Sequence, residues 1–122
     1  MVPSALRWSV PIGTFARDVL PETQYVLPIL ADTRIRHYHR TDRGRVVGFV
    51  VQLEVEVAGV WRHAIRYDTS HGFAHIDRYR LSGGHTKERL FLRFKDALIR
   101  AEKDLSGNWP AYRERFLRGE YP

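Results

Sequence analysis

The chain has 122 residues, no cysteine, and 20 lysine and arginine residues against 14 aspartate and glutamate residues, which gives a formal net charge of +6. This length suits one domain with a single hydrophobic core. The lack of cysteine excludes a disulfide framework, a cysteine-ligated metal site and thiol catalysis. No apolar run is long enough to cross a membrane, and residues 1–10 do not resemble a signal peptide, so we expect a cytoplasmic protein without membrane contact.

The N-terminal part of the chain is rich in proline. Each proline removes a backbone donor and restricts the residue before it, so a long helix is excluded there. The segment is nevertheless too apolar for a solvated linker. We therefore expect residues 1–32 to form an irregular segment that wraps over the core, with one short helix near residues 13–19.

The hydrophobic period changes to two after this segment, which predicts β-strands. Residues 33–40 alternate and are followed by turn-forming residues at 41–44. The longest predicted strand covers residues 46–57, and Ala58-Gly59 can turn the chain into an antiparallel partner. Alternation resumes at 73–81, and the segment after the next glycine turn is either a fifth strand or the start of a helix.

A helical period follows the predicted strands. The apolar residues on one face are Leu90, Phe94, Ala97, Leu98, Ala101 and Leu105. Gly107 lies where a helix cap is expected, and Pro110 suits the first turn of a second helix. The predicted fold is a single α+β domain over residues 1–122. An antiparallel meander of four or five strands occupies residues 33–90, and one or two carboxy-terminal helices in residues 91–118 pack on one face.

One loop between two predicted strands concentrates groups that can carry catalysis. A carboxylate beside an imidazole can fix its tautomer and raise its basicity, and an arginine suits phosphate. The candidate catalytic residues are Arg66, Asp68, His71, His75 and Asp77. The alternative is structural, because Asp68, Thr69 and Ser70 are ordinary turn-forming residues and a histidine on a strand often serves packing.

The predicted hairpin around residues 33–45 is strongly basic and contains aromatic residues. Arginine binds phosphate, and an interleaved aromatic ring can stack on a base. The candidate nucleic-acid-binding residues are Arg36, Tyr38, Arg40, Arg43 and Arg45. The alternative is a solvated hairpin whose arginines discourage edge-to-edge aggregation.

The six histidines also raise the question of a metal site. His37 and His39 share a face of one predicted strand, and His71 or His75 could complete three ligands. Histidines at this spacing often occur by chance, and no established metal-binding motif is present. We therefore predict no metal and no cofactor.

Residues 66–75 read Arg-Tyr-Asp-Thr-Ser-His-Gly-Phe-Ala-His. This segment resembles the motif Arg-Tyr-Asp-Thr-Ala-His-Gly-x-Ala-His of a family of small uncharacterised prokaryotic proteins, with Ser70 in place of the usual alanine. The resemblance covers about residues 46–118. More distantly, the histidine-containing loop is similar to that of the TumE-like toxins of toxin–antitoxin pairs. That resemblance implies functional roles for Arg66, Asp68, His71 and His75.

Three functions remain open from the sequence. The first is a basic, RNA-directed protein, such as the toxin-like ribonuclease of a toxin–antitoxin pair. The second is a non-catalytic module that binds nucleic acid, with RNA favoured, or an acidic protein partner. The third is a structural subunit of a homo-oligomer, for which a homodimer is the simplest case.

Overall fold

A computed structural model describes residues 20–122. The short helix expected near residues 13–19 lies outside the described residues. One antiparallel sheet contains six strands in chain order. They are β1 (Glu22–Leu30), β2 (Thr33–Asp42), β3 (Arg45–Val57), β4 (Val60–Asp68), β5 (His75–Tyr79) and β6 (His85–Arg89), and one helix, α1 (Phe94–Leu117), follows them.

The structure confirms an α+β fold with an antiparallel meander and a carboxy-terminal helix, but the sheet has six strands rather than four or five. The expected irregular conformation is wrong for Glu22–Leu30, which is an edge strand paired with β2. Pro28 lies within it beside a register shift, and edge strands and bulges are where a sheet tolerates proline. The segment after residue 84 is a strand, β6, and not the start of a helix.

Two tight turns connect β3 to its neighbours β2 and β4. Arg43 and Gly44 both have positive φ, at 52° and 79°, and so do Ala58 and Gly59, at 53° and 78°. Positive φ at both central residues is typical of a two-residue type I′ turn, whose twist matches that of the flanking strands. Each turn therefore joins its two strands directly into a hairpin, and β3 becomes a long central strand.

The hydrophobic core lies between the sheet and α1. From the sheet it contains Ile35, Phe49, Val51, Leu53, Val55, Ile65, Tyr67 and Ile76, and from the helix Ala97, Leu98, Ala101, Leu105 and Phe116. Leu53, Val55, Leu98 and Ala101 are buried, whereas Phe94 is only partly buried. Alternation on the strands and the helical period of α1 produce this layer because each places its apolar residues on one face.

Helix α1 is continuous, although Gly107 and Pro110 lie within it. The alternative of a second helix beginning near residue 108 is therefore wrong. Gly107 and Pro110 are both exposed, and the buried face of the helix continues past them from Leu105 to Phe116, so packing against the sheet outweighs the local helix breakers. Within residues 20–122, no helix is both long and apolar enough to cross a membrane.

Candidate functional site

The sheet face opposite α1 carries polar side chains that are largely buried. Residues directly opposite each other in a sheet point to the same face. The strand register therefore places both predicted sites, the hairpin and the loop, on this one face. One line of paired residues across five strands is Arg36, Gln52, Arg66, Asp77 and Lys87, and the adjacent line is Tyr38, Val50, Asp68, His75 and Arg89.

Arg36 is buried in an ion-pair cluster and not exposed on a basic arm. Its side chain is 1% exposed, and its Nε donates to Oε2 of Glu54 at 2.6 Å. The Nε of Arg34 donates to the other oxygen of Glu54, also at 2.6 Å. A buried guanidinium paired in this way serves the fold, so the structure corrects the predicted contact between Arg36 and nucleic acid.

Tyr38 is also buried, and its hydroxyl donates to Oε2 of Glu22 at 2.6 Å. Burial and this hydrogen bond raise the pKa of Tyr38 above its ordinary value. A buried ring cannot stack on a base, which corrects its predicted role. Arg40 is half-buried, and Arg43 and Arg45 are exposed at the β2–β3 turn. Three of the five predicted binding residues are therefore accessible.

Asp68 organises the start of the β4–β5 loop. Its Oδ2 accepts from the Nε of Arg66 at 2.7 Å, and its Oδ1 accepts from the backbone N–H of Ser70 at 2.6 Å. Both oxygens of this buried carboxylate are thus engaged. Asp68 can orient the guanidinium of Arg66 and hold the turn, but it is poorly placed to act as a base.

His75 is fully buried between two oxygen acceptors. Its Nδ1 lies 3.2 Å from the carbonyl oxygen of Phe73, and its Nε2 lies 3.3 Å from Oδ2 of Asp77. Asp77 is itself buried, and its Oδ1 lies 3.0 Å from Nζ of Lys87. With both nitrogens occupied and 1% of the side chain exposed, His75 is suited to positioning a neighbour rather than to touching a substrate.

His71 is the accessible member of the histidine pair. It is exposed, and its ring centroid lies 5.4 Å from that of His75. The two rings are therefore neighbours. Of the five predicted catalytic residues, Arg66 and His71 are the ones that solvent reaches, since Asp68, His75 and Asp77 are buried.

A cleft of about 400 Å³ lies between the turn end of the β2–β3 hairpin and the start of the β4–β5 loop. Two arginines, one carboxylate and three residues with hydroxyl groups are among the residues that line it. Thr69 and Ser70, which the sequence predicts to be turn-forming residues, also line this cleft, and the Asp-Thr-Ser run close to Arg66 is the sequence signal for their hydroxyl groups. The lining residues are Tyr38, Arg40, Val47, Gly48, Phe49, Val50, Arg66, Asp68, Thr69 and Ser70.

His37 and His39 do not form a metal site with the loop histidines. Nε2 of His37 lies 2.7 Å from Nδ1 of His39, and the ring of Tyr25 stacks on His37 at 4.5 Å. This pair faces α1, whereas His75 faces the opposite side of the sheet. Burial, and secondarily His39, lower the pKa of His37 to about 4. No group of three or more histidine, cysteine, aspartate or glutamate side chains in residues 20–122 could hold a metal ion.

Comparison with known proteins assigns the chain to a family. No curated protein and no solved structure matches it significantly. The model of one family, described as a domain of unknown function, matches residues 20–122. This match covers the whole of the described chain, strands β1 to β6 and helix α1 included. The chain therefore belongs to the DUF7718 family.

Proposed function

We propose that this protein binds the phosphate backbone of RNA along the cleft and the adjoining β2–β3 turn. The observation that carries the proposal is the meeting of two basic segments, far apart in sequence, in one cleft: Arg40 comes from β2 and Arg66 from β4. Arginine forms bidentate hydrogen bonds with phosphate oxygens, and two arginines across one cleft suit successive phosphates. An RNA-directed protein of this kind would act in the cytoplasm.

The charge distribution supports a polyanionic ligand. Arg43 and Arg45 extend the basic surface from the cleft to the exposed turn. Within the described part of the chain, none of Arg40, Arg43 and Arg45 lies within ion-pair distance of a carboxylate. Their charge is therefore available to an external anion, and the net charge of +6 favours its approach.

The test is the salt dependence of binding, measured by fluorescence anisotropy with labelled single-stranded RNA and with DNA of the same sequence. The variant replaces Arg40, Arg43 and Arg45 together by Gln. Each lost phosphate contact lowers the slope of log affinity against log salt by somewhat under one, so we expect the slope to fall by about 2 to 3. Tighter binding of RNA than of DNA is the result expected for an RNA-directed protein.

A matched control keeps the total charge equal. Replacing Arg100, Lys103 and Arg118 by Gln removes the same charge from α1 and its C-cap residue, on the other side of the sheet. We expect this variant to keep most of the wild-type slope. No binding by the wild-type protein at low salt would overturn the proposal, as would an equal loss of slope in the two triple variants. In the first case, binding of an acidic protein or self-association becomes the better account.

A second candidate function, RNA cleavage, is favoured by the geometry of the histidine pair. The exposed ring of His71 lies beside His75, which Asp77 and the Phe73 carbonyl hold in place. An accessible imidazole near a phosphate-binding cleft can accept the proton of a 2′-hydroxyl as a general base. The 2′-oxygen then attacks the adjacent phosphorus, the bond from phosphorus to the 5′-oxygen breaks, and the leaving 5′-oxygen takes a proton from water. In this reading His71 is the catalytic residue and His75 is a positioning residue.

The cleavage hypothesis is tested with His71→Ala. We expect cleavage to fall by about 10²- to 10⁴-fold, the usual contribution of a general acid or base, with RNA affinity unchanged. The control substrate is the same oligonucleotide with 2′-deoxy nucleotides, which the wild-type protein should bind without cutting. Cleavage of both substrates, or equal cleavage by His71→Ala, would refute a role for His71 at the 2′-hydroxyl.

A further inference from the structure

An unusually exposed aromatic ring lies between β6 and α1. Phe91 is 80% exposed, the largest exposed fraction among the large hydrophobic residues described. Its backbone has φ of 54°, a left-handed conformation that is rare for a bulky residue and costs about 1–3 kcal/mol. The preceding residue, Leu90, is buried, and its N–H donates to the carbonyl of Ala74 at 3.0 Å. The fold thus anchors the chain immediately before the ring and presents the ring to solvent.

Phe91 is the outer end of a stack of aromatic and cationic groups. The guanidinium carbon of Arg89 lies 4.7 Å from the ring centroid of Phe73 and 4.8 Å from that of Phe91. The Phe73 centroid lies 6.2 Å from that of His71. The stack therefore runs from Phe91 through Arg89 and Phe73 to the accessible histidine, next to the residues that line the cleft.

Cationic side chains flank Phe91, beside the exposed Leu92. Among the residues that the structure describes, Arg89 has no carboxylate within ion-pair distance. Arg93 is 93% exposed, and its Nε is 3.9 Å from Asp96. An exposed aromatic ring flanked by arginines matches the way proteins bind single strands, in which bases stack on rings and cations contact phosphates.

We propose that Phe91 is a stacking platform for one base of a single-stranded nucleic acid. The inference rests on the proposed function and deepens it, because it makes the ligand single-stranded: in a duplex the base faces are already stacked. Phosphates occupy the cleft, and a base farther along the same strand lies on the ring of Phe91. The guanidinium of Arg89 packs against the rings of both Phe73 and Phe91 and contributes positive charge.

The test combines a protein variant with a change in the ligand. Phe91→Leu keeps apolar bulk and removes the aromatic face, and an abasic site placed along the labelled RNA keeps the phosphates and removes one base. We expect Phe91→Leu to weaken binding of the intact RNA by about 5- to 150-fold, the usual range for one stacked base. The oligonucleotide whose abasic site falls at the platform should bind the wild-type protein and Phe91→Leu with equal affinity. Phe91→Tyr, which keeps the ring, should bind intact RNA like the wild-type protein.

The outcomes separate this inference from the proposed function. If the wild-type protein binds no RNA, both fail together. If it binds RNA and Phe91→Leu binds equally well, the platform is refuted while the cleft proposal stands. If Phe91→Leu weakens the binding of intact and all abasic RNAs alike, the ring supports the fold or an apolar contact, and stacking is again refuted. Leu117→Ala changes another exposed apolar side chain and is the control, and we expect it to leave the affinity for each RNA unchanged. Thermal unfolding of each variant verifies that it is folded.

Discussion

Glu54 is the carboxylate that compensates the buried positive charge on the polar face of the sheet. Arg34 and Arg36 each donate to it from Nε at 2.6 Å, and Gln52 also donates to it. Burial alone raises the pKa of Glu54, but the hydrogen bonds from Arg36, Arg34 and Gln52 outweigh burial and leave the pKa below its ordinary 4.5. The group is therefore an anion at neutral pH, and Arg36 depends on it.

The substitution Glu54→Gln keeps the shape of the side chain and removes its charge. Arg36 is 1% exposed, and its Nη1 already lacks a hydrogen-bond partner among residues 20–122, so it then becomes an uncompensated buried charge. Breaking a buried pair in this way costs about 3–5 kcal/mol. Because a domain of this size has a total stability of about 5–15 kcal/mol, the loss is a large part of the whole. Urea unfolding at pH 7 measures it.

The pH dependence gives this prediction a second, independent measurement. The folded pKa of Glu54 lies below the unfolded pKa, so its stabilising contribution is complete above about pH 4.5 and is lost as the pH falls through the folded pKa. The difference in unfolding free energy between wild type and Glu54→Gln should therefore shrink below pH 4.5. Glu56→Gln, two residues along β3 and only partly buried, is the control and should cost under about 1 kcal/mol. A loss of under about 1 kcal/mol in Glu54→Gln, or a difference that does not change with pH, would refute the reasoning.

The remaining predictions concern the other face of the sheet. Leu98→Asp places an unpaired charge in the core between α1 and the sheet, where Leu98 is 7% exposed, and should cost several kcal/mol or abolish cooperative unfolding. A soluble variant that melts like the wild-type protein would show that this helix face is not packed. The pKa of His37 is about 4 in the folded protein and about 6.5 in the unfolded chain, so as the pH falls the unfolded chain takes up a proton at His37 before the folded protein does. The free energy of unfolding should therefore decrease as the pH drops from about 6.5 towards 4. His37→Phe should remove up to about 1.4 kcal/mol per pH unit of that slope, and equal slopes in the two proteins would contradict the assignment.

The alternation of apolar and polar residues predicted most strands of the sheet but did not predict β1. Residues on β3 alternate because the strand is central and one face packs on α1, so the period of two is plain in the sequence. β1 pairs on one side only, and its burial pattern shows no alternation. An edge strand buries little, so its sequence carries little of the signal that identifies a strand, and Pro28 argued against one.

The loop shows which part of a site the sequence can predict. The period of two places His75 with Asp77, and Arg66 with Asp68, on shared faces, and the structure brings each of these pairs together. The sequence could not predict that His75 would be buried and His71 exposed. Burial depends on which elements pack against a residue, and this information is spread over the whole chain.

The burial of Arg36 has a specific cause in the register of the β2–β3 hairpin. The tight turn pairs Asp42 with Arg45, and counting inwards from that pair would set Arg36 opposite Val51. The observed partner of Arg36 is Gln52, because a bulge at Arg40/Thr41 shifts the register by one residue. A bulge adds one unpaired residue to one strand and so changes which side chains share a face.

The bulge reconciles two requirements of the sequence, one from the turn and one from the core. The turn residues favour a two-residue turn, whereas the core requires Ile35 to lie opposite Leu53 so that apolar faces coincide. The turn register alone would pair Ile35 with Gln52 and leave polar groups against α1. Burying unpaired polar groups costs more than leaving one backbone residue out of the ladder, so the strand bulges. The same adjustment between Leu53 and Glu54 in the β3–β4 hairpin sets Arg66 opposite Gln52 and completes the polar line that supports the cleft.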